Sequence, residues 1–166
     1  MSALANVCSL KVRELPDKDY CMRINHCLPD DIRILAFSFV KDDFDARFDC
    51  KFREYKYLFF KGSMDIELIR SAAKKLLGLH DFRNFCKKDK NLKTVDGDDK
   101  DPADVCYLRT MYKFDIEFVQ SNSDDDTLDV YMAVIKGSSF IWRQVRCMMA
   151  VLFMIGKQQE QETVID

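Results

Sequence analysis

Two stretches in the C-terminal part of the chain have an apolar side chain at every second position. Apolar residues occupy every second position over 112–118, with Lys113, Asp115 and Glu117 between them, and the same spacing recurs over 128–134. Alternation with a period of two predicts strands that have one covered face and one solvated face. The sequence between them, SNSDDD, is polar and turn-forming, so we predict that the two strands form a hairpin.

Apolar residues recur at helical spacing in two further segments. The pattern predicts a helix over 64–77, with Ser63 as its N-cap and Gly78 just after its last turn. A second helix is expected after the serine pair at 138–139, ending at Gly156. The expected core positions are Ile66, Ile69, Ala73, Leu76 and Leu77 in the first helix, and Ile141, Val145, Met148, Met149, Leu152 and Ile155 in the second.

The N-terminal third of the chain has weaker patterns. Residues 3–12, 33–40 and 52–60 suit strands, and residues 17–28 suit a short helix that ends before Pro29. The strand over 52–60 is apolar on both faces, with Tyr55, Tyr57 and Phe59 on one and Phe52, Leu58 and Phe60 on the other. Strand pairs interrupted by occasional helices predict an α+β fold, in which an antiparallel sheet has helices on one face.

Composition narrows the class of protein. The 166 residues are 48% hydrophobic and 33% charged, with a net charge of −2. This is the balance of a globular domain, and it argues against a histone-like nucleic-acid binder while allowing a locally basic groove. No apolar run of about 18 residues exists, which argues against a membrane partner. Seven cysteines without a C-x-x-C pair indicate reduced thiols in the cytoplasm or nucleus rather than disulfides or a zinc site.

The acidic stretch 96–104 does not fit a calcium-binding loop. Counted from Asp96, the sixth and twelfth positions of such a loop would hold Asp101 and Tyr107 instead of Gly and Glu. We therefore expect the charged segment 87–104 to be a solvated loop without a metal. His80 and Asp81 are a possible acid–base pair, but a hydrogen bond from His80 that fixes the end of the helix over 64–77 is favoured.

Basic residues interleave with aromatic residues in two places. Trp142 stands beside Arg143 and close to Arg146, at the start of the second predicted helix. The other place is the segment 47–57, where basic residues alternate with aromatic ones. The basic residues are Arg47, Lys51, Arg53 and Lys56, and the aromatic residues are Phe48, Phe52, Tyr55 and Tyr57. Cations next to exposed rings are what phosphate contact and base stacking require. Composition alone leaves open the alternative that the rings belong to a core and the cations to a solvated face.

Four segments resemble motifs of the TruA-type tRNA pseudouridine synthases, in the order in which that family has them. They are RINHCLPDDIRI (23–34), ARFDCKFREYKYLFF (46–60), AAKKLLGLHDFRNFC (72–86) and GSSFIWRQVRCMMAVLFMIGK (137–157). The last is similar to the form found in the eukaryotic branch, which acts on the anticodon stem-loop. The resemblance covers nearly the whole chain and implies a partial pseudouridine synthase fold made of two related α/β halves.

The resemblance also implies a reaction and a substrate. Such enzymes are cofactor-free isomerases that flip a uridine out of tRNA, break its N-glycosidic bond, turn the base and rejoin it through carbon. For this branch the uridines would be those at positions 38 and 39 of the anticodon stem-loop.

Six residues match positions of the family's site. Tyr55 matches the tyrosine that stacks on the target base, and Arg146 matches the arginine that pairs with the catalytic Asp. Phe140 and Ile141 match the apolar wall beneath the base, and the weaker candidates for phosphate contacts are Arg47 and Arg53. The alternatives are a core aromatic for Tyr55, a surface arginine for Arg146 and simple core packing for the apolar pair.

The chain departs from the family at the catalytic Asp, which belongs to a G-R-T-D-x-G-V-x-A motif. The opening M-S-A-L-A-N-V matches the family's sequence just after that motif, and residues 1–16 contain no Asp. We therefore expect a fragment, with 1–61 as the remainder of the N-terminal half and 62–166 as a truncated C-terminal half. We expect this polypeptide alone to be inactive on tRNA.

Three hypotheses about function stay open at this point. Besides a synthase fragment, the sequence allows a non-catalytic RNA-binding module and a protein-interaction domain without an RNA role. Sheet edges that the missing strands leave open would favour a homodimer.

Overall fold

The computed structural model describes residues 3–16, 19–87 and 106–166. The chain divides into two compact units, Met1–Cys50 and Lys51–Asp166, and each is described by itself. The predicted division into halves at 61/62 stays a prediction. No helix in the described ranges is both long and apolar enough to span a bilayer.

Among the described residues of the first unit there is one helix, α1 (Tyr20–Cys27), which confirms the short helix predicted before Pro29. Asp19 caps it by accepting a hydrogen bond from the Met22 N–H at 3.1 Å. On the adjoining segment, Phe37 and Phe39 pack edge-on against the ring of Tyr20, with centroids 5.0 and 6.1 Å away. These aromatic contacts hold the segment after α1 in place without a sheet.

The strands predicted over 3–12 and 33–40 are wrong. Neither segment belongs to a strand, and apart from half-buried Ile34 all of their residues are exposed. A strand needs a partner for its backbone groups. For Ile34 that partner is the side chain of Asn25, which accepts from the Ile34 N–H at 2.7 Å and donates to its carbonyl at 3.0 Å.

The second unit is built on a four-stranded antiparallel sheet. Its strands are β1 (Arg53–Phe60), β2 (Gly78–Asp81), β3 (Leu108–Gln120) and β4 (Val130–Gly137), in the order β1-β4-β3-β2. The hairpin of β3 and β4 and the strand β1 confirm the predicted elements. The face predicted to be covered on β4 is wrong, since Ala133 and Ile135 belong to the core whereas Val130 and Met132 are half-buried outside it. The short strand β2 was not predicted, because four residues are too few to show a period.

Two α-helices pack on this sheet in the described part of the unit, α2 (Ile66–Lys75) and α3 (Gln144–Gly156). Their buried side chains form one core with the inner face of the sheet, including Ile69, Leu152, Phe114 and Ile135. This arrangement confirms the α+β fold with helices on one face of an antiparallel sheet.

Both predicted helix starts are corrected by the structure. The N-cap of α2 is Asp65 rather than Ser63, since the Asp65 carboxylate accepts from the N–H groups of Glu67 and Leu68 at 2.9 and 3.2 Å. Helix α3 begins only at Gln144, because Arg143 has a left-handed backbone with φ 65°. Ile141, expected on the core face of that helix, therefore lies before it.

Candidate functional site

Tyr55 lies on the inner face of β1, where odd-numbered residues point toward the helices. Its Cα pairs with that of Ile135 on the neighbouring strand β4. After β4 ends, the chain brings Phe140 back to this position, so that the two rings meet edge-on with centroids 4.9 Å apart and an interplanar angle of 90°. Both residues are half-buried. The structure thus brings together two residues that the motifs predicted for one site, with part of each left accessible.

A four-residue turn, 141–144, connects this aromatic pair to α3. The Gln144 N–H donates to the Ile141 carbonyl at 3.0 Å, and the Ile141 N–H donates to Oε1 of the Gln144 side chain at 2.8 Å. Gln144 is fully buried, and its Nε2 has no hydrogen-bond partner among the described residues. These paired bonds hold the segment that contains Phe140 to the first turn of the helix.

Arg143 is the third residue of this turn, at φ 65° and ψ 8°. Glycine and asparagine normally take that conformation, and another side chain there costs roughly 1–3 kcal/mol. Helical hydrogen bonding begins immediately afterwards, when the Cys147 N–H donates to the Arg143 carbonyl at 3.1 Å. The turn thereby places an arginine where backbone geometry alone would favour glycine.

Arg146 lies in the first turn of α3 and is exposed. Its guanidinium makes no ion pair or hydrogen bond with any residue in the described part of the chain. Arginine provides a fixed fork of donors for carboxylate or phosphate oxygens. Arg146 is therefore accessible to an anionic group from outside these residues.

An exposed aromatic ring with two cations lies on the same turn. The Trp142 ring has Lys87 Nζ 5.2 Å from its centroid and the Arg143 guanidinium carbon at the same distance. The Lys87 N–H also donates to the Trp142 carbonyl at 3.1 Å. Lys87 was missed by the sequence analysis, since 55 residues separate it from Trp142 and no pattern connects them.

The two weaker candidates for phosphate contacts lie in different units. Arg53 begins β1 and is half-buried on the same face as Tyr55. Arg47 belongs to the first unit, where it is exposed, its N–H donates to the Asp45 carboxylate at 2.7 Å and its guanidinium lies 5.6 Å from the Phe48 ring centroid. Their roles stay predictions.

His80 and Asp81 do not form an acid–base pair. His80 Nε2 lies 2.7 Å from the Leu77 carbonyl, which confirms the predicted hydrogen bond at the end of α2. Asp81 instead accepts hydrogen bonds from the side chain and backbone of Arg83, and these lower the pKa of its carboxyl below the ordinary value. Both groups therefore have structural partners.

The predicted solvated loop lies almost entirely outside the described residues, since only Lys87 of the segment 87–104 is among them. The acidic stretch from Asp96 to Asp104 is therefore not part of the described structure. Within the described ranges, no group of three or more His, Cys, Asp or Glu side chains is arranged to hold a metal ion.

Known proteins with similar sequences agree with the motifs. The sequence profile of the tRNA pseudouridine synthase family matches residues 72–166. A probable tRNA pseudouridine synthase of Caenorhabditis elegans is 36% identical over 92% of this chain and 35% of its own length. The tRNA pseudouridine(38/39) synthases of Homo sapiens and Saccharomyces cerevisiae are each 35% identical, over 89% and 99% of this chain.

The chain spans about a third of these relatives, 29% of the human protein and 37% of the yeast protein. A bacterial tRNA pseudouridine synthase A, from Staphylococcus saprophyticus, is 28% identical over 89% of this chain. The matching profile covers more than half of the residues and includes β2, β3, β4 and α3. On these grounds, the chain belongs to the tRNA pseudouridine synthase family.

Proposed function

We propose that this protein takes part in the isomerisation of uridine to pseudouridine in the anticodon stem-loop of tRNA, at positions 38 and 39. The observation that carries the proposal is the meeting of Tyr55 and Phe140, at a turn that leads directly into the helix of Arg146. The eukaryotic relatives named for those two positions support the choice of substrate.

The geometry suits a base that has left the RNA stack. A flipped base loses its stacking neighbours, and aromatic or apolar side chains in the pocket replace them. Tyr55 and Phe140 are both half-buried, so the rings are held by the protein while part of their surface stays free to contact a base. Ile141, half-buried beside Phe140, extends this apolar surface.

The accessible cation at the site is Arg146. Cleavage of the N-glycosidic bond leaves negative charge on the departing uracil beside a carboxylate, and a positioned guanidinium stabilises negative charge in a site from which water is excluded. In the family that carboxylate belongs to the G-R-T-D-x-G-V-x-A motif, and no Asp of the 166 residues stands in that context. We therefore propose that this polypeptide binds the substrate but does not complete the reaction alone.

A tritium-release assay tests the proposal. Isomerisation replaces the hydrogen on C5 of the uracil with the glycosidic bond, so an anticodon stem-loop with 5-tritiated uridine loses its label as product forms. We expect no release with the 166-residue chain and release with a longer form that includes the catalytic motif. Release by the 166-residue chain would disprove its inactivity, and no release by the longer form would remove the proposed function.

The second candidate is a non-catalytic RNA-binding module. The cation-flanked ring of Trp142 favours it, because this feature would bind RNA whether or not a catalytic Asp is present. Tight binding of the stem-loop by the longer form without tritium release would support this candidate. Affinity that does not weaken with added salt would instead favour a protein-interaction domain, since phosphate contacts release counterions.

We further propose that two copies of the chain associate through the β1 edge of the sheet. Strand β1 is an edge strand of the four-stranded sheet, and its outward face exposes Leu58 and Phe60, each 62% accessible. Exposed apolar edge strands favour pairing with another chain. Light scattering over a range of concentrations should give a mass near twice 19.5 kDa that Leu58→Lys returns to the monomer value. A monomer mass at every concentration would contradict the dimer.

A further inference from the structure

The exposed ring on the turn before α3 is not explained by the core or by the Tyr55–Phe140 pair. Phe140, Ile141 and Val145, on either side of it, all pack against the core, whereas Trp142 does not and remains 49% exposed. The turn therefore directs its largest apolar side chain toward solvent. An indole in that position contributes little to folding, because the stabilisation from an apolar side chain comes from its burial.

The position of Trp142 is fixed by its surroundings. Its carbonyl accepts the Lys87 N–H, and the paired bonds between Ile141 and Gln144 close the turn around it. The next residue, Arg143, has an unfavourable left-handed backbone, and its guanidinium carbon lies 5.2 Å from the ring centroid. Backbone strain of this kind is maintained where the surrounding structure holds a functional geometry.

The Trp142 ring stays partly accessible beside the cations of Lys87 and Arg143. Lys87 and Arg143 each lie 5.2 Å from the Trp142 centroid, compared with 3.8 Å for Lys136 over the Phe52 ring. At the longer distance neither cation is in close contact with the ring, and about half of the residue's surface stays accessible. A partly open π surface beside two positive charges is suited to a planar group attached to anions.

We propose that Trp142 is a stacking platform for an unpaired RNA nucleotide, with Lys87 and Arg143 contacting the phosphates beside it. Base–aromatic stacking is tolerant of sequence, and adjacent cations follow the backbone. The inference rests on the proposed function for its choice of RNA, and it adds a second nucleotide position besides the flipped uridine. The nucleotide would be a neighbour of the target in the unpaired part of the loop.

Trp142 is the single tryptophan of the chain, so its fluorescence reports on this platform alone. The 166-residue protein is titrated with an anticodon stem-loop, with a short oligouridine and with heparin, a polyanion that lacks bases. Stacking should quench the emission with both RNAs and leave it nearly unchanged with heparin. Equal quenching by heparin would show a simple polyanion site and overturn the platform.

Binding of a fluorescently labelled stem-loop, followed by anisotropy, separates the ring from the charges. Trp142→Ala should weaken binding about tenfold, whereas Trp142→Phe, which keeps an aromatic face, should stay within about threefold of the parent chain. Lys87→Gln should reduce the slope of log affinity against log salt by about 0.7, the value for one phosphate contact on a single strand. Lys157→Gln, at the far end of α3 about 20 Å away, is the matched control and should leave affinity and slope unchanged.

The variant Arg143→Gly tests whether misfolding could account for weaker RNA binding. Glycine adopts φ 65° without strain, so this variant should be at least as stable as the parent chain while binding RNA more weakly. If Trp142→Ala and Arg143→Gly bind like the parent chain, the platform is wrong.

The platform and the proposed function fail in different ways. Stem-loop binding without quenching of Trp142 removes the platform and leaves the function intact. Quenching together with an absence of tritium release from the longer form removes the function and leaves the platform. Absence of quenching by both RNAs overturns the platform irrespective of activity.

Discussion

Replacing Arg146 with alanine should lower the rate of uridine isomerisation by roughly 10²–10³-fold, in a form of the protein that includes the catalytic motif. This is the typical effect of removing one group that stabilises charge in a transition state. Arg146 is exposed and has no ion pair with the described residues, so its loss leaves no buried charge without a partner. The folded state should therefore be preserved while the reaction is slowed.

The effect should fall on kcat rather than on KM. Stem-loop affinity should change by only a few fold, since one phosphate or carboxylate contact among many is lost, whereas the stabilisation of negative charge on the carboxylate and the departing uracil is lost entirely. Arg146→Lys should recover part of the rate, because an ammonium keeps the charge but not the bidentate fork.

Lys157→Ala is the matched control, because it removes a positive charge from the opposite end of the same helix. Tritium release at saturating stem-loop and thermal unfolding are measured for all three variants. A kcat for Arg146→Ala within twofold of the parent enzyme would mean that Arg146 is a surface arginine on an amphipathic helix.

The patterns that predicted the fold correctly are those with several repeats of one period. The β3–β4 hairpin and helix α2 each show their spacing over two or more repeats, and both elements form where they were predicted. Helix α2 buries Ile66, Ile69 and Ala73 as its spacing indicated, whereas β4 directs Ala133 and Ile135 into the core instead of Val130 and Met132. The failures over 3–12 and 33–40 have another cause. A short apolar run describes a side-chain preference, but a strand also requires a backbone partner, and Ile34 finds its partner in the side chain of Asn25.

Only the site residues that lie within the family motifs could be predicted from the sequence. Tyr55 and Phe140 are 85 residues apart, and no property of either residue alone indicates that their rings meet at 4.9 Å. Gln144 was missed because capping signals are sought as Ser, Thr, Asp or Asn before a helix, whereas here a buried glutamine bonds back to the N–H of an isoleucine. The left-handed Arg143 contradicts the usual preference for glycine, and local rules fail where geometry serves a site.

Gly156 lies at the predicted end of a helix, but the structure requires glycine there for a different physical reason. The helical spacing predicts Gly156 as the end of the last helix, and α3 does end there. Gly78 has φ 98°, which favours glycine at its position, whereas Gly156 is helical and does not require positive φ. What Gly156 provides is space, because a Cβ built on it would lie 2.7 Å from both Cγ1 and Cδ1 of Ile69 and 3.2 Å from Cβ of Met64.

Gly156→Ala should accordingly lower the free energy of unfolding by about 1–3 kcal/mol, the usual cost of overpacking a core. Alanine raises helix propensity by up to about 1 kcal/mol over glycine, but this gain is reduced at the last residue of a helix. The clash should prevail because Ile69 is fully buried and its Cγ1 is not the free end of a flexible chain. The measurement is the urea midpoint at constant m-value.

A double-mutant cycle identifies the cause. Ile69→Val alone should cost about 0.5–1.5 kcal/mol, but combined with Gly156→Ala it should cost less than the sum, because the removed Cδ1 is one of the two atoms that the new methyl meets. Gly62→Ala is the matched control, since φ 55° makes it costly although nothing lies within 4 Å of the added methyl, and Ile69→Val should not relieve that cost. Additive effects for Gly156→Ala and Ile69→Val, or a raised midpoint for Gly156→Ala alone, would mean that the interface between α2 and α3 can accept the methyl group without strain.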